Sequence, residues 1–413
     1  MSKKVESSNI YGINHRQLIE IIKRVYEVKE SLFITGAIGI GKSHSVREAA
    51  KQIAKDFRLE YLETKDPNKH PDKFCLIDQR MGQKDAGEVL GLPETYALLE
   101  VTRDKVKEIE TIPAKSLSAF LDANHFKEYR IIDYITKWTS PLWFPRQGRG
   151  IIFLDELTLA PALVRNAVWE LINDHALGDY QLPQGWVVIA AGNRGREDGC
   201  PEFIFEAPLS NRFSWFQLNM PSIEDWTEWA ASHGVDMRII GFLNTKRSAL
   251  YTYNPNAKER AFSTPRSWQK ASDLIKGIED EDKLMLYISG RVGTYVAGEF
   301  KAFLQQRRKL PPVEEFIKKC KEIPLEYESD LLYTLCTNIT EYVLSKRSKP
   351  EEARKILSAV VIIGKRMSKE FATFLFKLIK SSDETFFREN ILQIPEWTSL
   401  SNTIGKYLLN FND

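Results

Sequence analysis

Residues 36–43 read Gly-Ala-Ile-Gly-Ile-Gly-Lys-Ser, and no other stretch constrains this chain as tightly. The eight positions satisfy G-x-x-x-x-G-K-[S/T]. They follow a short β-type run, Ser31 to Thr35, and precede a segment with helical character that begins at Ser43. Glycines at 36, 39 and 41 let the backbone curl around an anion with its N–H groups turned inward. The helix that follows adds the positive end of its dipole. In this pattern Lys42 reaches the β- and γ-phosphates of a bound nucleotide, and the Ser43 hydroxyl is a ligand for Mg²⁺. The loop residues Gly36, Ala37, Ile38, Gly39, Ile40 and Gly41, with Lys42, Ser43 and His44 at the helix start, form the expected phosphate cradle.

A second segment completes such a site. Ile-Ile-Phe-Leu-Asp-Glu at 151–156 is an apolar strand that ends in two adjacent carboxylates. Two acids at a buried strand end are costly unless a cation meets them. Asp155 is expected to hold Mg²⁺, largely through water, and Glu156 to orient and activate the attacking water; phosphoanhydride hydrolysis needs these two roles supplied separately.

The rest of the pattern fixes the fold class. Phe74–Asp78 and Trp186–Gly192 are further apolar strand candidates, and strands alternating with helical segments predict a parallel sheet covered on both faces. Residues 14–30 carry Leu18, Ile21, Ile22 and Val25 at helical spacing. Beyond about residue 222 the segments at 222–234, 265–275, 293–306, 329–346, 350–367 and 369–382 all read as helices. Pro311-Pro312 marks a boundary among them. The expected organisation is an N-terminal helical segment (1–30), an α/β core (31–220) with a long insert at about 93–142, a helical lid (221–310) and a helical C-terminal extension (311–413).

Composition excludes several classes. With 43% hydrophobic and 28% charged residues the 413-residue chain is neither disordered nor membrane-embedded. The run Ile356 to Ile363 is far too short to span a bilayer. Basic residues number 58 against 56 acids, so no global charge drives binding to nucleic acid or membrane. Cys75, Cys200, Cys320 and Cys336 form no C-x-x-C pair, and the six histidines form no H-E-x-x-H, so neither a zinc site nor a disulfide framework is expected. The N-terminal residues lack the apolar stretch of a signal peptide. A cytoplasmic protein with reduced thiols is the expectation. The chain also lacks the N-K-x-D of guanine-reading GTPases and the L-S-G-G-Q of transporter ATPases.

The combination resembles the AAA+ ATPases, and within them the MoxR-like group. The stretch 166–193, Leu209–Phe213 and Gly290–Phe300 carry that resemblance, which covers residues 12 to 305. The helical tail is similar to the extension of a longer MoxR-like subset; the group carries an insert within core helix 2, and the unusually long segment between Leu92-Pro93 and Trp143 departs from that shorter pattern. The resemblance implies ATP with Mg²⁺ and a homo-oligomer, a hexameric ring or a helical filament. It implies that Asn193 is a sensor aligning water with Glu156, that Arg212 is an arginine finger lent to the neighbouring subunit, and that Arg266 reaches the γ-phosphate from the lid. Gly12 and Ile13 fall where the group contacts adenine. It further implies a chaperone-like remodelling activity on a partner with a von Willebrand factor A domain, supplied in trans because the chain has no D-x-S-x-S motif. A nucleic-acid-translocating or restriction-type motor is the other reading, and the near-neutral charge argues against it.

Overall fold

The computed structural model describes residues 11–103, 106–125, 128–200, 212–257 and 259–409. By its contacts the chain divides into two units, one formed by residues up to Ala37 with Lys42–Asn219, the other by Ile38–Gly41 with Met220 onward.

The first unit is built on a seven-stranded, wholly parallel sheet ordered β1-β12-β2-β11-β8-β4-β3. These strands are β1 (Gly12–Ile13), β2 (Leu32–Gly36), β3 (Tyr61–Glu63), β4 (Phe74–Arg80), β8 (Arg149–Asp155), β11 (Trp186–Gly192) and β12 (Ser214–Leu218). The central strands are continuously apolar because both faces are buried. Phe33, Ile77, Ile152, Leu154, Val188 and Ala190 face one cluster, which α5 (Ala162–Asn173) closes through Val164, Val168 and Leu171. Their alternating neighbours, Ile34, Leu76, Ile151, Phe153, Val187 and Ile189, are buried on the other side, where α1 (His15–Val28) and α2 (Lys42–Asp56) pack. Asn14 starts α1 with a complete capping box, its side chain and that of Gln17 satisfying each other's backbone N–H.

The insert follows the five-residue helix α3 (Ala86–Leu90) and is a sheet of its own. β5 (Pro93–Arg103) runs antiparallel between β6 (Val106–Pro113) and β7 (Tyr129–Trp138), with a bulge at Leu98/Leu99. α4 (Leu117–Asn124) lies between β6 and β7 in the chain. Ala97, Leu99 and Val101 are its buried face, and Thr139 closes its root by exchanging hydrogen bonds with Leu92. A two-stranded hairpin, β9 (Ala176–Leu177) and β10 (Tyr180–Gln181), precedes β11.

The second unit is helical: α6 (Ile223–Ser232), α7 (Met237–Thr245), α8 (Pro265–Ile275), α9 (Glu281–Val292), α10 (Thr294–Arg307), α11 (Val313–Lys318), α12 (Ser329–Ser345), α13 (Pro350–Arg366), α14 (Lys369–Ser382), α15 (Glu384–Ile391) and α16 (Pro395–Leu409). It holds two apolar cores. One, around Trp268, Phe242 and Phe300, belongs to the helices before Pro311; the other, around Phe316, Cys336, Phe376 and Ile404, belongs to those after it. They are joined, since α12 packs on α7 and α14 on α6. Leu378 of α14 is buried in the first core while its neighbours Leu375 and Ile379 are buried in the second.

Candidate functional site

The sheet order decides which strand tips meet. β11 lies between β2, which feeds the glycine loop, and β8, which ends in the acidic pair. The C-terminal ends of these three parallel strands therefore carry the loop, Asn193 and Asp155–Glu156 side by side, and α2 leaves from the same edge.

Gly39 and Gly41 have φ of +73° and +108°, a backbone region closed to most side-chain-bearing residues, whereas Gly36 is the last residue of β2. The curled loop brings its own carbonyls under the helix start. Lys42 is buried, and its Nζ donates to Gly36 O (2.6 Å), Ala37 O (3.0 Å) and Asn193 Oδ1 (3.2 Å). Ser43 Oγ donates to Asp155 Oδ2 at 2.7 Å. His44 stands half-buried in the same first turn. The hydroxyl–carboxylate pair is a set of hard oxygen donors. It fits Mg²⁺, which takes one or two protein ligands and fills the rest of its octahedron with water and phosphate. Among the described residues no group of three or more His, Cys, Asp or Glu side chains is placed to hold a metal ion by itself.

Glu156 follows with φ +57° and ψ +31°, a left-handed conformation uncommon for a non-glycine residue. Its N–H donates to Asp155 Oδ1 at 2.9 Å, and no described side chain donates to its carboxylate. Asn193 is held from behind: its N–H donates to Thr158 Oγ1 at 3.2 Å. Gly192 permits that approach, because a Cβ there would stand 2.4 Å from Thr158 Cγ2. Beyond it, Arg194 donates through its backbone and guanidinium to the buried carboxylate of Asp198, which fixes the turn after β11.

Gly12 and Ile13 form β1, the edge strand paired in parallel with Gln217 and Leu218 of β12; Ile13 is buried. Arg212 lies just before β12, exposed, and pairs with no described residue. Residues 201–211, which include most of the Leu209–Phe213 motif, are outside the described residues. Arg266 is the second residue of α8, after the N-cap Thr264 and Pro265, so the proline is the helix-start residue that its sequence position suggests. Its backbone N–H donates to Gly39 O at 3.1 Å, within the second unit, and its side chain is exposed. Gly36, Ala37, Lys42, Ser43, the acidic pair and Asn193 thus converge in the first unit.

The motifs alone do not reveal two residues beside this cluster. Arg47, one turn after Ser43, pairs with Glu63 and with Asp78 of β4. Burial pushes the Asp78 carboxyl above the usual carboxylate range, the Arg47 guanidinium opposes this, and the Asp155 charge adds to it. Their only sequence signal was spacing: Arg47 is four residues from Ser43, and Asp78 closes the apolar run at 74–77.

This is the fold and strand-end chemistry of an α/β P-loop NTPase with a helical extension. Among solved structures the chain is similar to NtrX from Brucella abortus in complex with ADP (13% identity, 95% of this chain and 67% of that one, TM-score 0.34). It is also similar to a RuvB mutant from Thermotoga maritima (14%, 78% and 79%, TM-score 0.30) and to Hsp104 with ATPγS and FITC-casein (12%, 75% and 46%, TM-score 0.29). No protein-family model matches the sequence, and no curated protein matches it.

Proposed function

We propose that this protein is an AAA+-type ATPase that hydrolyses ATP with Mg²⁺ as a homo-oligomer. The observation that carries the reading is the convergence of Lys42, Ser43, Asp155, Glu156 and Asn193 at three adjacent strand ends. Lys42 brings a buried positive charge to the loop that would hold the phosphates. Ser43 and Asp155 are the residues that would hold Mg²⁺; the ion, when bound, neutralises charge on the phosphates and draws electrons from the bond that breaks. Glu156, with its carboxylate unengaged by any described donor, is the group to orient a water and accept its proton. Asn193, tethered to Lys42 through Oδ1, aligns that water.

Arg212 supports an assembly-dependent site. An exposed guanidinium just before β12 is available to a neighbouring protomer, where it would offset transition-state charge. Such head-to-tail contacts close into rings, here hexameric by resemblance, or run on as filaments. Arg266 would couple lid and nucleotide in this reading, and Gly12–Ile13 would border the base. The finer reading, remodelling of a partner with a von Willebrand factor A domain in the manner of MoxR-like proteins, is supported by the sequence resemblance over 166–193.

Complementation tests the central claim. Lys42→Ala should lose nucleotide binding, Glu156→Gln should keep it while turnover falls at least about 10²-fold, and Arg212→Ala should keep binding while turnover falls about 10³-fold. Mixing the Lys42→Ala and Arg212→Ala proteins should restore turnover, because each supplies what the other lacks. No restoration would refute the trans arginine, and unimpaired binding by Lys42→Ala would refute the site. Partner capture by ATP-loaded Glu156→Gln tests the finer reading.

A further inference from the structure

Asp78 stands on β4, the strand that flanks β8 on the side away from β11. In their parallel register Asp78 is level with Phe153 and Arg80 with Asp155. Alternation therefore puts the Asp78 and Asp155 side chains on one face, diagonally adjacent. Helix α2 repeats the offset, since Ser43 and Arg47 are one turn apart. The contacts follow this grid: Ser43 Oγ donates to Asp155 Oδ2, and Arg47 Nη2 donates to Asp78 Oδ2. Arg47 also grips both oxygens of Glu63, through Nε and Nη2.

One atom of this grid is unsatisfied. Asp78 Oδ1 is buried and has no hydrogen-bond partner among the described residues. An orphaned carboxylate oxygen carries a desolvation cost that structures rarely leave unanswered. Arg47 bridges Asp78 to Glu63, and the Asp155 charge adds to that of Asp78 while Arg80 opposes it only in part. Asp78 and Asp155, of like sign on one face, are best held together by a cation and its water.

We propose that Asp78 is a positioning residue for the magnesium ion, its Oδ1 accepting a hydrogen bond from a water of the ion's coordination shell while Arg47 fixes the carboxylate. The inference rests on reading Ser43 and Asp155 as the ion's ligands. Mg²⁺ sheds its water reluctantly, so an acceptor for that water orients the ion without touching it. Outer-shell partners of this kind change metal affinity 10- to 100-fold when removed. Asp78→Asn keeps an oxygen for Arg47 and replaces the orphaned acceptor by an amide donor.

The test counts Mn²⁺ bound by the full-length protein with ADP, read by electron paramagnetic resonance, with no turnover involved. Asp78→Asn should raise the dissociation constant for Mn²⁺ about tenfold or more, while ADP binding in EDTA stays at the wild-type level. Wild-type Mn²⁺ affinity in a folded Asp78→Asn protein would overturn the proposal. Should Asp78→Asn fail to fold, Arg47→Lys decides, because it loosens the grip on an intact Asp78: weakened Mn²⁺ binding supports the assignment and unchanged binding overturns it. If Asp155→Ala leaves Mn²⁺ binding intact, the ion site itself has been misread, a failure distinguishable from that of Asp78 alone.

Discussion

Lys42 Nζ lies 3.2 Å from Asn193 Oδ1, so the first residue of α2 and the residue just beyond β11 are joined 151 positions apart in sequence. This bond orients the asparagine. With Oδ1 taken by the ammonium, Nδ2 is the free face of the amide, its one described neighbour being Cys200 Sγ at a long 3.9 Å. Asn193→Asp keeps an acceptor for Lys42 but loses the N–H donors, and Asn193→Ala loses both. Both variants should bind ATP while kcat falls about 10²-fold, the effect of removing one preorganised donor. Steady-state phosphate release checks this; a loss confined to KM would contradict the aligning role.

Gly192 is required by the crowding of Thr158 and Phe33. A Cβ there would come within 2.4 Å of Thr158 Cγ2 and 3.0 Å of Phe33 Cζ. Gly192→Ala should lower stability by about 1–3 kcal/mol, the usual cost of overpacking, and displace Asn193. Adding Thr158→Ser removes the nearest methyl while keeping the hydroxyl that accepts from Asn193. The double variant should regain part of the stability in urea melts, and no recovery would place the strain elsewhere.

Burial pushes the Cys75 thiol up from its ordinary value of 9.0 to about 11. The unfolded chain ionises this thiol first, so between roughly pH 9 and 11 the folded state holds a proton that the unfolded state has released. Stability from this group is complete below pH 9 and is lost as pH rises toward 11. Denaturant midpoints of wild type against Cys75→Ala should therefore converge over that window. Parallel curves would show that Cys75 ionises alike in both states. At pH 8 alkylation should reach the half-buried Cys200 and Cys320 before Cys75 or Cys336.

The two helical cores share α14. Leu378→Ala should cost about 2–5 kcal/mol, the range for a fully buried leucine. Because Leu378 belongs to the core around Trp268 while its own helix is held by the core around Phe376, hydrogen exchange should show 265–275 and 350–366 losing protection together. Loss confined to one segment would mean that the two cores unfold independently.

Much of the site was legible locally. A glycine loop between an apolar strand and a helix, or two carboxylates ending an apolar run, is a short-range pattern whose chemistry follows from backbone freedom and charge. The strands at 74–78, 151–155 and 186–192 were readable because strands buried on both faces are continuously apolar. The insert's strands were not read: their signal, Ala97, Leu99 and Val101 in alternation, is diluted by charge on the solvent side. β1 has two residues and β12 five, too short to stand out without the neighbours that pair with them.

The sequence by itself determined that a glycine loop before a helix and an acidic pair at the end of an apolar strand exist, because each is encoded within eight residues. Only the tertiary structure decided that β11 runs between β2 and β8, which delivers Asn193 to Lys42. It also decided that Arg47 and Asp78 stand beside Ser43 and Asp155, and that α14 unites two helical cores. Strand order, register and helix packing arise from contacts between residues far apart in the chain, and no local propensity records which distant partner lowers the free energy most.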